Sequence, residues 1–535
     1  MPVYAIYLAS LVGLGGLAAV EIVRGRGGRA FVCVAAIVLI AASFRFGEDF
    51  LHHDYRIAVL ADQIRSGAPS LLLANPGKEE VLPVFVYYSF VPYLPAVALD
   101  LAGLSPHFAF RVTMLATLLI LLLGLVRLIR LARPDDEGMH AAFLAAILFL
   151  GANYVHNLWL ARQALAEIWV YCLIPWVAMA LLRPGALMPL AALLFLQIVG
   201  HPLVFGQAFA CALLIAWMLS KEPPLVIVGR YAAATALALA VALPFWLPQV
   251  LWQHQILGPA GLPIRFADEF LSLVDLVDLR NRRGLGVALP LALVLLVATT
   301  RARLAARAWI LLAAVVALVA IQTRPLLPVA EHLPVLPSSL FIWRLMFPAA
   351  LLAFVLLLVG WQPHPARDTA LGAVAILSIA SLALVQAARA PRDLEAFAGI
   401  LKDEAGWFRF YTQDIGWGRL EFLPDYSRLP RFCGEAQKAS FADLERGVRA
   451  DKPYVALSSA PLAGIDYLAN GAKANLSACD QDLMIGPLPP GAEVRASSST
   501  LALVLKARLA ALAVCALGWL GWVFLRRRTV SPRAA

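Results

Sequence analysis

The feature that most constrains this chain is a succession of apolar runs, each close to the length needed to cross a hydrocarbon layer of about 30 Å. They fall at 3–22, 29–46, 108–131, 139–156, 167–183, 186–201, 203–220, 225–247, 286–300, 307–322, 343–361, 369–388 and 501–525. Hydrophobic residues make up 61% of the 535 and charged ones only 15%, which is far more apolar side chain than a water-facing fold needs for its core. The sequence predicts an all-α polytopic membrane protein with about 13 transmembrane helices. Its first run starts at once and is followed by RGRGGR, so it reads as a retained helix and not as a cleaved signal.

The net charge of +10 does not point to nucleic acid. The arginines sit between apolar runs, as at Arg24, Arg26 and Arg29 or Arg526, Arg527 and Arg528, which is the positive-inside pattern and not a basic groove. The basic loops 24–29, 127–133, 221, 301–307, 367 and 526–528 all become cytoplasmic under one topology. The N-terminus then starts outside, the tail ends inside, and the apolar stretch 82–104 does not cross. Pro83, Pro92 and Pro95 break that stretch, and it is expected to be re-entrant or interfacial.

This topology divides the chain into a transmembrane domain over 1–388, a soluble domain over 389–499, and a last helix with a basic tail over 500–535. The loops 47–107, 157–167 and 249–285 then lie outside with the soluble domain. Alternating stretches such as FRFYTQDI, KPYVALSS and EVRASSSTLALVL predict that this domain is small, β-rich and extracytoplasmic. It holds Cys433 and Cys479, which an oxidising compartment would let pair as a disulfide. The other four cysteines fall in apolar runs as small buried hydrophobes, and no Cys/His pattern suggests a metal centre.

Chemistry is expected where acids and bases gather at membrane surfaces. The segment GEDFLHHDYRIAVLADQIRSG at 47–67 concentrates Asp49, His53, Asp54 and Arg56. From Asp54 onward it turns amphipathic: Ile57, Leu60, Ala61 and Ile64 share a face, and the helix is expected to lie on the bilayer with Asp54 at its N-cap. A second group, VHNLWLARQALAEIW, brings Arg162 and Glu167 to a helix end, because a carboxylate at the bilayer centre costs about 2.5–3.5 kcal/mol. Arg344, in LPSSLFIWRLMFP, reads either as a grip on a phosphate through its fork of donors or as an interfacial anchor reaching to the headgroups. His201, in VGHPLVFGQ, stands at another helix end. Arg265, Asp268, Glu269, Asp275 and Asp278 line the 249–285 loop with no spacing that assigns them a role.

Taken in order, the acidic loop with its helix, LAGLSPHFAFRVTMLATLL, ARQALAEIW, GHPLVFGQ, IWRLMF and GRLEFLPDY resemble GT-C class membrane glycosyltransferases. The resemblance is nearest to bacterial membrane proteins described as pyruvoyl-tetrahydropterin-synthase-related and to YfhO-like proteins. It implies an enzyme of a bacterial inner membrane, with its C-terminal domain in the periplasm. Such an enzyme moves a sugar from a polyprenyl-phosphate donor, held among membrane lipids, to a cell-envelope glycan, lipid or protein acceptor. By resemblance Asp54 or Asp49 is the base, leaving the choice between them open, and Glu167 orients the acceptor. Arg344, Arg162, Arg56, His53 and His201 would meet the substrates and the departing phosphate. Some members use a divalent cation such as Mg or Mn, which Asp54 and Glu167 would hold. The same residues leave room for a lipid or polysaccharide transporter, or for a noncatalytic envelope assembly protein.

Overall fold

The computed structural model describes residues 2–529 apart from 46, 48, 76–79, 135–137, 256–264, 302–303, 334–340, 403–428, 459–460, 463 and 480–481. The segments FRFYTQDI and GRLEFLPDY lie outside the described residues. The chain forms two compact units. One comprises Met1–Phe50, Phe110–Ala238 and Ile264–Glu404, the other Leu51–Ala109, Leu239–Pro263 and Ala405–Ala535.

Among the described residues, eight helices are long and apolar enough to cross a membrane: Tyr4–Val23, Gly27–Phe44, Pro106–Ala132, Pro202–Leu219, Pro224–Val241, Ile342–Gly360, Pro365–Arg389 and Ser499–Phe524. The pair Met139–Gly151 and Asn153–Arg162, bent by 58°, makes a ninth if it is one span. The other expected runs fold as shorter apolar helices, Leu165–Leu181, Leu187–Gly200, Ala288–Thr300 and Ala306–Ala320. Hydropathy gave about 13 spans, and the structure does not confirm that count. At 1.5 Å per residue a helix of fourteen residues rises about 21 Å, short of the hydrocarbon thickness. Breaks such as His201 before Pro202, where the backbone turns extended, end helices that composition alone runs on.

In the first unit, hydrogen bonds tie basic loops to neighbouring helix ends. Gly27 N–H donates to His140 Nδ1 at 3.0 Å, and Arg133 donates to the Leu358 and Trp361 carbonyls at 3.1 and 2.6 Å. Arg307 donates to the Ser220 carbonyl at 2.9 Å. Helix Ile342–Gly360 lies in the core of this unit, its side chains buried from Met346 to Leu358. The last helix of the unit runs from Pro365 to Lys402, past the boundary expected at 388, so residues 389–402 are helical and the β-rich part starts later.

In the second unit the Pro-rich stretch 82–104 is not one helix. It breaks into Val84–Tyr87, a 3₁₀ turn Val91–Tyr93 and Leu94–Leu101, following a short antiparallel pair of strands β1 (Leu73–Asn75) and β2 (Glu80–Leu82). None of these pieces is long enough to cross. Helix Leu243–Trp252 carries Pro248 in its interior. Proline has no N–H, so the Pro244 carbonyl loses its donor four residues on. Arg508, fully buried on helix Ser499–Thr529, supplies one: its Nε donates to Pro244 O at 2.9 Å. Its other nitrogens donate to the carbonyls of Phe85, Val86 and Phe245, and its guanidinium stacks 5.1 Å from the Phe245 ring.

Among the described residues, the β-rich part contains eight short strands: β3 (Ala436–Lys438), β4 (Val448–Arg449), β5 (Tyr454–Ser458), β6 (Asp466–Ala469), β7 (Ala472–Lys473), β8 (Leu476–Cys479), β9 (Asp482–Ile485) and β10 (Glu493–Ser497). They form two four-stranded sheets ordered β4-β10-β6-β7 and β3-β5-β9-β8, antiparallel except for the parallel β3–β5 pair. β10 shows why the alternation pointed here: Val494 and Ala496 are buried while Glu493 and Arg495 are exposed. A helix Phe441–Arg446 opens on a reciprocal cap between Ser440 and Asp443. Cys433 and Cys479 are joined by a disulfide, with Cα atoms 5.0 Å apart.

Candidate active site

The site begins with a turn that departs from α-helical geometry. Helix Asn153–Asn157 runs into a π-helical turn Leu158–Arg162, and Gln163 then adopts φ 58°, a left-handed conformation that is uncommon for a side-chain-bearing residue. This turn clamps the segment that follows helix Gly27–Phe44. Gly47 N–H donates to Gln163 Oε1 at 2.8 Å, Gln163 Nε2 donates to the Arg45 carbonyl at 3.1 Å, and Asp49 N–H donates to the Arg162 carbonyl at 2.9 Å. Gly47 lies so close that an added Cβ would meet Gln163 Cγ at 2.6 Å and Arg162 O at 2.7 Å. No larger residue fits there.

The clamp sets Asp49 beside Arg162, with Nη2 3.5 Å from Oδ2. Arg162 in turn grips Glu167 by two bonds, Nη1 to Oε2 at 2.5 Å and Nη2 to Oε1 at 3.0 Å. Arg344, far away in sequence, closes on the same carboxylate, Nε to Oε1 at 2.7 Å and Nη2 to Oε1 at 2.6 Å. The Glu167 side chain is 1% exposed and that of Asp49 is 33% exposed. Hence Glu167 is a buried counter-ion shared by two guanidinium groups, while Asp49 is the carboxylate of the group that faces outward. His201 is buried, and Arg344, Glu167 and Arg162 are the charges that act on it.

An aromatic wall supports the arginines. The Arg162 guanidinium lies 4.3 Å from the centre of the Trp343 ring and that of Arg344 lies 4.6 Å from Phe341. Tyr171 donates to the Arg344 carbonyl at 3.0 Å and stacks on Phe347 at 4.4 Å. Trp343 Nε1–H donates to Glu269, which also pairs with Arg283 at 3.0 Å, and Arg283 lies 5.1 Å from the same indole. The loop bearing Arg283 is pinned by Tyr154 N–H to Gly284 O at 2.8 Å and Asn153 Nδ2 to Asp278 O at 2.9 Å.

The structure therefore brings together Asp49, Arg162, Glu167, His201 and Arg344 among the residues expected from sequence. The remaining three, His53, Asp54 and Arg56, belong to the second unit. Their helix starts at Phe50, one turn earlier than the amphipathic pattern suggested, so Asp54 is a helix-interior residue and not the N-cap. Asp49 is the residue that immediately precedes the helix. His53 Nδ1 lies 2.7 Å from the Tyr93 hydroxyl, to which Arg56 donates at 2.8 Å, and Arg56 also covers the Tyr88 ring at 4.5 Å. His53, Asp54 and Arg56 are all buried, whereas Ile64, expected on the apolar face, is exposed.

Sequence reading gave no role to Glu269, Gln163 or Arg283, and set Trp343 beside Arg344 only as an aromatic that contacts a lipid chain. The RRGLG run around Arg283 was the available signal, since Gly286 needs φ 72° to turn against Asn153. A divalent cation does not fit at Glu167, because both of its oxygens already accept from guanidinium groups whose charge would repel a second cation. Among the described residues, no group of three or more His, Cys, Asp or Glu side chains is placed to hold a metal.

No family model matches the chain, and no curated protein does. A solved structure, the arabinofuranosyltransferase AftD from Mycobacteria, is similar at 17% identity with a TM-score of 0.43. That match covers 88% of this chain, and the chain spans 40% of the length of that structure.

Proposed function

We propose that this chain is a GT-C type membrane glycosyltransferase that moves a sugar from a polyprenyl-phosphate donor to a hydroxyl-bearing envelope acceptor at the extracytoplasmic surface. The observation that carries the reading is the pair of arginines on Glu167, with Asp49 at its outer edge. The ordered sequence resemblance supports it independently.

Two guanidinium groups held by one buried carboxylate are fixed in place before any ligand arrives, which is what electrostatic stabilisation of a departing phosphate needs. In the proposed step, Asp49 takes the proton of the acceptor hydroxyl as that oxygen bonds to the anomeric carbon. The bond from that carbon to the phosphate oxygen breaks, and its electron pair stays with the lipid phosphate beside Arg162 and Arg344. Glu167 positions the arginines and does not accept the proton. Trp343 and Phe341 keep water from the guanidinium faces, where screening would weaken them.

The test uses purified protein in bilayer nanodiscs with radiolabelled polyprenyl-phosphate sugars and a panel of glycan, lipid and peptide acceptors. Wild type is expected to turn over with at least one pair. Asp49→Asn is expected to slow turnover by about 10²- to 10⁴-fold without a loss of thermal stability, and Asp54→Asn to slow it far less. Equal turnover by Asp49→Asn and wild type removes Asp49 as base. Movement of labelled lipid across the bilayer with no bond change would replace the transferase by a transporter.

A further inference from the structure

Trp343 touches two ion pairs of the first unit. Arg162, paired with Glu167, lies 4.3 Å from the centre of its ring, and Arg283, paired with Glu269 at 3.0 Å, lies 5.1 Å from the same centre. The indole N–H donates to Oε2 of Glu269, the oxygen that also meets Arg283. The two pairs differ in reach. Arg162 belongs to the arginine group on Glu167 and is 16% exposed, whereas Arg283 is 41% exposed. Glu269 itself is buried, so its carboxylate has exchanged water for these two donors.

The local fold fixes this carboxylate relative to the indole. Glu269 ends a 3₁₀ turn Phe266–Glu269, and Phe270 after it packs with Ala330 and Ile342 in an apolar cluster bordered by Phe266 and Leu345. Leu271 N–H donates to the Gln322 carbonyl and Arg324 N–H to the Leu271 carbonyl, both at 2.9 Å. Ile342 and Leu345 are the ends of the turn that carries Trp343 and Arg344. The loop therefore docks on the turn whose indole it holds. A hydrogen bond from an indole N–H to an anion pushes electron density into the ring, and a more negative ring face attracts a guanidinium more strongly. Arg162 is a cation over this ring, and it is also the one that pairs with Glu167 and Asp49.

We infer that Glu269 is a positioning residue of the candidate site that acts on Arg162 through Trp343: it orients the indole by its N–H and strengthens the hold of the ring on the Arg162 guanidinium. It needs no contact with substrate to do so. Its effect on turnover rests on the transferase reading, while the coupling from Glu269 through Trp343 to Arg162 rests on the fold alone.

The experiment joins kinetics to a spectroscopic signal of Trp343. Glu269→Gln keeps the shape and an acceptor oxygen and removes the charge. In the nanodisc assay it is expected to lower kcat at least about threefold, with the donor KM changed less than kcat. In a Trp343→Phe background the same substitution is expected to change kcat by less than about 1.5-fold. The full chain is also labelled with 5-fluorotryptophan. Of its 13 tryptophans, Trp343 gives the fluorine resonance that Trp343→Phe lacks. Arg162→Lys keeps the charge and loses the guanidinium plane, and it is expected to shift that resonance at least about twice as far in the wild-type background as in Glu269→Gln. If wild type turns over no donor, the transferase reading fails and the resonance decides this inference by itself. An unchanged kcat in Glu269→Gln, equal kinetic losses with and without Trp343, a resonance shifted equally by Arg162→Lys in both backgrounds, or collapse of the fold in Glu269→Gln would overturn the inference.

Discussion

At the scale of single residues, the two acids of the candidate site differ by what surrounds them. Glu167 accepts from Arg162 and Arg344 at once and is 1% exposed, so removing its charge takes from both guanidinium groups the buried carboxylate they share. Breaking a buried pair in this way costs about 3–5 kcal/mol, and Glu167→Gln should lose both activity and cooperative melting. Asp49→Asn should lose activity alone, since its side chain is 33% exposed and pairs with Arg162 only at 3.5 Å. Chemical denaturation of both variants beside the turnover assay separates the two roles. Comparable destabilisation by both would show that Asp49 is also a structural counter-ion. Part of this was legible beforehand. Arg162 and Glu167 are five residues apart, within reach across one turn, and a carboxylate in an apolar run needs a partner. Arg344 is 177 positions from Glu167, so only its chemistry singled it out. Glu269 was not legible, and Arg283 only through the RRGLG turn it sits in, because what joins them to the site is an indole N–H and ring face that no spacing encodes.

At the scale of elements, two irregular pieces carry most of the local logic. The π-helical turn with left-handed Gln163 positions Asp49 through three hydrogen bonds. Gln163→Gly keeps the backbone conformation accessible and removes only the side-chain clamp. It is expected to lower kcat at least about tenfold while changing stability by less than about 1 kcal/mol. Gly47→Ala should lower both, because its Cβ has no room. The second piece is the helix Leu243–Trp252, whose interior Pro248 strands a carbonyl that Arg508 fills. Arg508→Met leaves buried carbonyls at Pro244, Phe85, Val86 and Phe245 without that donor, at about 1–3 kcal/mol for a stranded group. Pro248→Ala restores one N–H, so the double variant should recover part of the loss in a thermal melt. Additive losses instead would show that Pro248 is not the reason for Arg508. Hydropathy could see neither device. The proline was visible, but its compensating donor lies 264 residues away. Helix ends suffered for a related reason: apolar composition continues through His201 and Pro202, while the backbone ends one helix and starts another there.

At the scale of the whole molecule, the remaining question is which side of the membrane each part faces, and charge is what speaks to it. The basic loops of the first unit bond to neighbouring helix ends, Gly27 with His140, Arg133 with Trp361 and Arg307 with Ser220. The ends that carry Arg45, Arg162, Glu167 and Arg344 are the opposite ends of those same helices or of their neighbours in sequence. Lys and Arg stay on the cytoplasmic side because of the cost of moving them across, so the candidate site is expected outside. The tail after Ser499–Phe524 is basic at Arg526, Arg527 and Arg528, so by the same rule the strands before that helix are expected outside. A disulfide between Cys433 and Cys479 suits an oxidising compartment. Single cysteines introduced by Lys473→Cys in β7 and Arg301→Cys in a basic loop test this directly, since both native side chains are exposed. The native thiols Cys33, Cys172 and Cys211 are buried, and Cys515→Ser removes the remaining half-exposed one. In intact cells a membrane-impermeant maleimide should label Lys473→Cys and reach Arg301→Cys only after the membrane is opened. The reverse pattern would turn the topology over and take the proposed acceptor out of reach of Asp49. Labelling of both in intact cells would mean that the number of crossings between the two positions is even, and that one of the short apolar helices does not cross.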